Sequence, residues 1–277
     1  MSDYRTFTRH DHNGVTRISF DHPPINLVDR AVVIDLLHLA KSLEQDRQSR
    51  VVLFRSADPD FFLAHYDLGS QLGKPAPAPT PGQASLLSEL FSRFSRLPQV
   101  TIGELRGRAR GAGSEFLLAL DMRFASREQA VLGQPEVAVG LLPGAGGTVR
   151  LSQLLGRGRA LEVCLGGGDF DADTAERYGW INRALPDAEL ASFTEALAQR
   201  IAGFPASGIA HIKALVERLS AADGPALVEE SQRFSADLAA PETQARVQWL
   251  MDNGGQTDGA LERDLGTLLG RYPQALA

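Results

Sequence analysis

A single cysteine, Cys164, is all that the 277-residue chain contains. One thiol can form neither an intrachain disulfide nor a multi-cysteine zinc cage. It lies in the apolar run 160–165, which reads as buried helix, so an inert core thiol is expected. Excess basic charge is missing as well: 28 Lys and Arg stand against 34 Asp and Glu, a formal net charge of −6. That balance leaves no electrostatic footprint for nucleic acid, and a polyanionic ligand would need locally placed Arg or Lys. No run is apolar for long enough to span a bilayer, and the first residues carry no apolar signal core. A reducing cytoplasm is the expected setting.

Several motifs are also absent. Gly-x-x-x-x-Gly-Lys-Ser/Thr does not occur, and neither glycine cluster matches Gly-x-Gly-x-x-Gly after a strand. There is no Gly-x-Ser-x-Gly elbow, so Ser114 has no nucleophile context. His10, His12, His22, His38, His65 and His211 show no zinc-ligand pairing, and no repeat of fixed period is visible. The 43% hydrophobic and 22% charged content is ordinary for a soluble globular protein. The length suits one large domain or one domain with an appendage.

What is present centres on Gly107 to Gly147. The stretch begins Gly107-Arg-Ala-Arg-Gly111-Ala112-Gly113-Ser-Glu115. It ends Gln134-Pro135-Glu136 through Pro143-Gly144-Ala-Gly-Gly147. Two glycine-rich turns each sit close to one glutamate and lead into an apolar, helix-compatible run. Glycine permits close backbone approach, and a helix start offers free N–H groups that receive negative charge. Two carboxylates beside one set of N–H donors make a candidate acid/base site with an oxyanion hole.

Around it, strand and helix signals alternate. Residues 4–10 and 15–20 are β-prone runs joined by the hairpin signal Asp11-His-Asn13-Gly14. Val32, Val33, Leu36, Leu37, Ala40 and Leu43 recur at helical spacing over 29–47, with Asp29 as cap. Residues 50–55, 100–105 and 122–126 read as strands, and 84–97 and 116–120 as helix, with a compact turn over 61–69. Residues 73–82, rich in proline, predict an extended segment that is either a passive linker or a cover over a pocket. Helices are expected at 148–165, 172–178, 187–203, 206–221, 224–239 and 242–252. The alternation in the first two thirds argues for an α/β or α+β core.

These segments, in this order and spacing, resemble the crotonase superfamily, the enoyl-CoA hydratase/isomerase family, from about Val15 to Pro186. The run from Arg106 through Gly111-Ala112-Gly113-Ser-Glu115 to Ser126 is similar to the family's second oxyanion segment. Leu132-Gly-Gln-Pro-Glu136 through Leu151 is similar to its second catalytic segment, and 172–182 to the helix and turn that come next. Phe62-Leu-Ala64-His65-Tyr66-Asp67-Leu68 resembles, more loosely, the first oxyanion segment, Ala-Gly-Ala-Asp. The resemblance implies a spiral of repeated β-β-α units, here residues 1–200, with a helical C-terminal trimerisation region, here 201–277. It implies a homotrimer or homohexamer acting on an acyl-coenzyme A thioester, with no metal or redox cofactor; the charge balance and the lack of a long apolar run predict no nucleic acid and no membrane partner. Carried over, Ala64 and Ala112 donate the oxyanion-hole N–H pair, and Glu115 and Glu136 are the catalytic carboxylates. His65, Tyr66, Asp67, Leu68, Gly111, Pro135 and Gly144 line the substrate site, Gly144 lending a further N–H.

Hydration of a 2-enoyl-CoA to a 3-hydroxyacyl-CoA is the reaction this implies, with Glu115 activating water and Glu136 delivering a proton to Cα. The alternatives are double-bond isomerisation, other processing of a thioester with His65 or Tyr66 recruited, and a non-catalytic RNA-binding relative. The chain departs from the family pattern at His65 (usually glycine), Tyr66 (usually small) and Ala112 (usually glycine). Pro23 and Pro24 stand where some members carry a lysine, although Asn26 matches a frequent family asparagine. The tail from Asp252 lacks the basic ending many members place near coenzyme A phosphates.

Overall fold

The computed structural model describes residues 4–74 and 80–269. The centre of the proline-rich segment, 75–79, and the end of the tail lie outside the described residues. The chain opens with a hairpin, β1 (Phe7–His12) and β2 (Val15–Phe20), in the register Phe7↔Phe20 to His12↔Val15. Its turn residues Asn13 and Gly14 both take positive φ, 51° and 74°, as the type I′ turn of a two-residue hairpin requires. Helix α1 (Arg30–Gln45) starts where Asp29 accepts the Val32 N–H at 2.9 Å.

From β3 (Val51–Ser56) onward the chain winds in turns of strand, strand, helix. The first turn is β3, β4 (Phe61–Leu63) and α2 (Leu86–Ser95). The second is β5 (Val100–Leu105), β6 (Arg108–Arg110) and α3 (Ala112–Leu118). The third is β7 (Met122–Ser126), β8 (Val131–Gly133) and the pair α4 (Gly147–Leu155) and α5 (Arg157–Gly166). The single helix expected over 148–165 is therefore two, broken at Gly156, whose φ of +76° interrupts the helical ladder. β9 (Asp169–Asp171), α6 (Ala172–Tyr178) and β10 (Arg183–Leu185) complete the winding. The first strand of each turn joins a six-stranded sheet ordered β1-β2-β3-β5-β7-β10. The second joins a four-stranded sheet ordered β4-β6-β8-β9.

Val51, Val52, Leu53 and Phe54 are all fully buried, which is why β3 reads as continuous apolar rather than alternating. One face of the large sheet is covered by α7 (Asp187–Ala202), through Leu190 and Ala198 against Val15, Leu53, Ile102 and Phe124. On the other side, Phe116 of α3 makes edge contacts with Phe54, Phe20 and Phe94 at centroid distances of 5.2, 5.9 and 5.3 Å. Those rings anchor α3 one residue beyond Glu115. Next come α8 (Ala206–Ser220), α9 (Gly224–Leu238), α10 (Pro241–Asp252), α11 (Ala260–Arg263) and α12 (Leu265–Leu268). Leu238, Val247, Leu250 and Leu265 from this group bury themselves on Leu68, Val139 and Leu141. None of the helices among the described residues is long and apolar enough to cross a membrane.

Candidate active site

The site lies where the parallel strands β4, β6 and β8 end together. β6 pairs with both neighbours, Leu63↔Ala109 on one side and Arg110↔Gly133 on the other. The three strands therefore bring their next residues to one place: His65–Leu68, Gly111–Glu115 and Gln134–Glu136. Carboxyl ends of parallel strands are a general location for ligand crevices. Two glycines make the convergence possible. At Gly113 a Cβ would come within 2.0 Å of the Leu63 carbonyl oxygen, and at Gly111 (φ +47°) within 2.7 Å of Glu136 Oε1.

A cavity of about 610 Å³ opens there, and its walls include Glu115, Glu136, Ala112, Gly144, His65 and Tyr66. Leu68 and Pro135 also line it, so eight of the eleven residues expected at the site face one space. Gly111 supports it from behind, against Glu136. Its apolar wall is Val139, Leu141, Phe234, Leu238, Leu250 and Leu265. Among the titratable wall residues, Glu115 is 2% exposed. Its Oε1 accepts the N–H groups of Ala145 (2.7 Å) and Gly147 (2.8 Å) at the start of α4. Burial pushes its pKa up to about 8; the nearby Glu230 charge adds to this, and the two N–H donors oppose it. Burial also raises Glu136 well above the usual carboxylate range, with the Glu115 charge second. Buried Gln134 places one end of its amide 3.0 and 3.1 Å from the two Glu136 oxygens. Turned one way it donates N–H to a carboxylate; turned the other way it accepts from a protonated Glu136.

Two expectations need correction. The N–H of Ala64 donates to the Asn26 carbonyl at 3.1 Å, so it is committed and Ala64 does not face the cavity. The uncommitted N–H lies two residues on. Val28 bridges Tyr66 in parallel, its N–H donating to His65 O (3.0 Å) and its carbonyl accepting from Asp67 N (3.2 Å). A parallel bridge turns the N–H of the central residue the other way. The Tyr66 N–H has no acceptor among the described residues, nor do those of Ala112 and Gly144. Ala112 is the first residue of its helix, where such freedom is normal. The second correction concerns Asp67. Its carboxylate accepts from Ser70 N (3.0 Å) and Gln256 Nε2 (2.8 Å), which makes it a brace of the loop rather than a wall of the cavity.

The imidazole of His65 is committed too. Nδ1 lies 3.0 Å from Tyr66 O, and Nε2 lies 3.0 and 3.1 Å from the two oxygens of Glu262 on α11. It borders the cavity without offering a free nitrogen to it, which removes the basis for recruiting it at a thioester. Asn26, the residue that matches a family asparagine, ties the first loop down: Nδ2 donates to Phe61 O (3.0 Å) and Phe62 O (3.1 Å). Sequence reading missed Glu262 and Glu230, both buried from the C-terminal helices. A signal existed for Glu230. It stands on the apolar face of α9, in line with Leu227, Phe234 and Leu238, where a solvated glutamate does not belong.

The site is thus a cavity on a double-layered β-β-α spiral, with two buried carboxylates beside uncommitted backbone N–H groups. The comparisons agree with the geometry. The family model described as enoyl-CoA hydratase/isomerase matches residues 10–248. The chain belongs to that family. A probable mitochondrial enoyl-CoA hydratase 2 of Arabidopsis thaliana is 33% identical over 190 residues, which covers 68% of this chain. The match spans 62% of the plant protein's own length. Among solved structures, a candidate enoyl-CoA hydratase from Streptomyces avermitilis superposes with a TM-score of 0.90 at 47% identity, covering 98% of both chains. DspI of Pseudomonas aeruginosa superposes with a TM-score of 0.71 at 30% identity, over 91% of this chain and 98% of its own.

Proposed function

We propose that the protein adds water across the double bond of a 2-enoyl-CoA thioester, giving a 3-hydroxyacyl-CoA. The observation that carries this reading is the pairing of Glu115 and Glu136 in one cavity beside three uncommitted N–H groups. The thioester oxygen sits between Tyr66 N–H and Ala112 N–H, which receive the charge that builds as the enolate forms. One such donor is worth about 2.7–4 kcal/mol. Water is held by the two carboxylates and the Gly144 N–H. Glu115 acts in its ionised form, which its two backbone donors support against burial and the Glu230 charge, and draws a proton from the water as its oxygen bonds Cβ. Glu136, kept protonated by burial, gives a proton to Cα. The atoms balance: hydroxyl to Cβ, hydrogen to Cα, and the carboxylates exchange one proton.

The acyl chain runs along the apolar wall of Leu141, Leu238, Leu250 and Leu265. Self-association runs through α8, which buries none of its residues and exposes Ile212, Val216 and Leu219; a homotrimer or a hexamer of two trimers is the assembly we assign. The test is loss of conjugated enoyl-thioester absorbance with crotonyl-CoA and a longer 2-enoyl-CoA. Glu115→Gln and Glu136→Gln should each fall at least about 100-fold. Migration of the double bond without net water addition would replace hydration by isomerisation.

A further inference from the structure

Glu230 is buried on α9, outside the pair through which hydration is proposed to run. Its carboxylate accepts the N–H groups of Gly146 (2.5 Å), Thr148 (3.0 Å) and Val149 (3.3 Å), and the Thr148 hydroxyl. Glu115 takes the N–H groups in between, those of Ala145 and Gly147. Two carboxylates from different helices thus divide the start of α4 residue by residue. A helix N-terminus carries roughly half an elementary positive charge, too little to hold two full anions out of water. Glu230 has the larger share of donors. Arg150 stands behind the turn, donating to Ala145 O at 2.9 Å.

The geometry points to Glu230 as a positioning residue for the reaction: it occupies the α4 N-terminus as the resident anion and so holds a shared proton on the Glu115–Glu136 pair. It also fixes the turn from Gly144 to Val149 that presents the Gly144 N–H. The kinetic part of this inference rests on the hydratase reading above. The charged and titratable groups facing Glu230 are Glu115 from α3, Glu136, Arg150 from α4 and Cys164 from α5. Arg150 in turn faces Glu217 and Arg96. Of these, Arg150 alone favours the Glu230 anion directly; the others disfavour a second charge. A fixed negative neighbour raises the pKa of a carboxylic acid, so removing it must let the pair ionise at lower pH.

The experiment uses the full chain with Glu230→Gln and Glu230→Asp. Infrared titration follows the carbonyl stretch of the protonated Glu115 carboxyl, assigned as the band lost in Glu115→Gln. It requires no turnover. Glu230→Gln should lower the midpoint by about one pH unit, a tenfold change in proton affinity. Glu230→Asp keeps the charge and should stay near wild type. With 2-enoyl-CoA, both limbs of the pH–rate bell in Glu230→Gln should move acid-ward by a similar amount, with KM within about threefold. An unmoved midpoint overturns the inference, whatever happens to kcat, because a purely structural helix cap would lower the rate without moving the titration. If Glu230→Gln does not fold, the reciprocal measurement decides, since coupling acts equally in both directions. In Glu115→Gln the Glu230 carboxyl, identified as the band that Glu230→Asp shifts, must then ionise at lower pH, and no movement of that band overturns the inference. Absence of hydration by wild type would sink the hydratase reading alone, since the infrared midpoints still judge Glu230.

Discussion

Gly113→Ala is the sharpest probe of how the proposed oxyanion hole is assembled. Position 113 is the second residue of α3 and its backbone is not in the left-handed region, so intrinsic preference favours alanine by about 0.5–1 kcal/mol. Space decides otherwise. The new methyl would stand 2.0 Å from Leu63 O and 2.6 Å from Ala64 O. Both neighbours are backbone, so no side chain can swing away. The start of α3 or the end of β4 must retreat by about 1 Å, and these two segments carry the Ala112 and Tyr66 N–H groups. A displacement of that size costs about 100-fold in rate, and loss of one donor about 2.7–4 kcal/mol, or 100- to 1,000-fold. Overpacking costs about 1–3 kcal/mol of stability, which cancels or exceeds the helix gain. The assay is kcat at saturating 2-enoyl-CoA together with thermal unfolding. We expect kcat to fall 100-fold or more with Tm unchanged or lower. A variant that is more stable and within threefold of wild-type kcat would refute the close approach of α3 to β4 as the device that builds the hole.

Two further predictions concern other parts of the molecule. Burial by itself pulls the His65 pKa down, but the charge and hydrogen bond of Glu262 more than reverse this, so it ends raised; that of Glu262 is lowered despite its own burial. The raised His65 contributes stability that is full below its unfolded pKa of about 6.5 and lost as pH climbs through its folded value. The lowered Glu262 contributes above its unfolded pKa of about 4.3 and loses it as pH falls through its folded value. Tm of the wild type should therefore be highest between these limits and decline toward alkaline pH. Glu262→Gln should be less stable by about 3–5 kcal/mol near neutrality and should lack most of the alkaline decline; equal slopes in both proteins would refute the pair. At α8, Ile212 and Leu219 are 68% and 77% exposed. Light scattering should give an assembly for wild type and a mass near the 29.9 kDa chain for Ile212→Glu combined with Leu219→Glu. A monomeric wild type would refute α8 as an interface.

The long elements were legible because each announces itself locally. The α1 stripe and its Asp29 cap, the buried run of β3, and the helices near 172–178 and 187–203 need only their own residues to be read. β6, β8 and β9 do not. Each has three residues, and they become strands only because they pair with one another, so the sheet that builds the site was the least visible part of the fold. Glu115 and Glu136 were found because glycine turns flag them. The uncommitted N–H of the first segment was misplaced because its identity depends on direction, not on residue type. Alanine at 64 looked like the family's small residue, yet its N–H is taken by the Asn26 carbonyl, while the Val28 bridge takes that of Asp67 and turns that of Tyr66 the other way. A backbone donor can be carried by any side chain, which is why a tyrosine is tolerated there. The same logic explains Glu230. Its partners are the N–H groups of Gly146, Thr148 and Val149, which any sequence would supply, so nothing near residue 146 announces a third carboxylate. Only the oddity of a glutamate on the apolar stripe of α9 did. In this site the side chains that do chemistry are chosen by residue type, while the groups that set their charge are chosen by where backbone N–H groups point. The first kind is read from sequence and the second only from the fold.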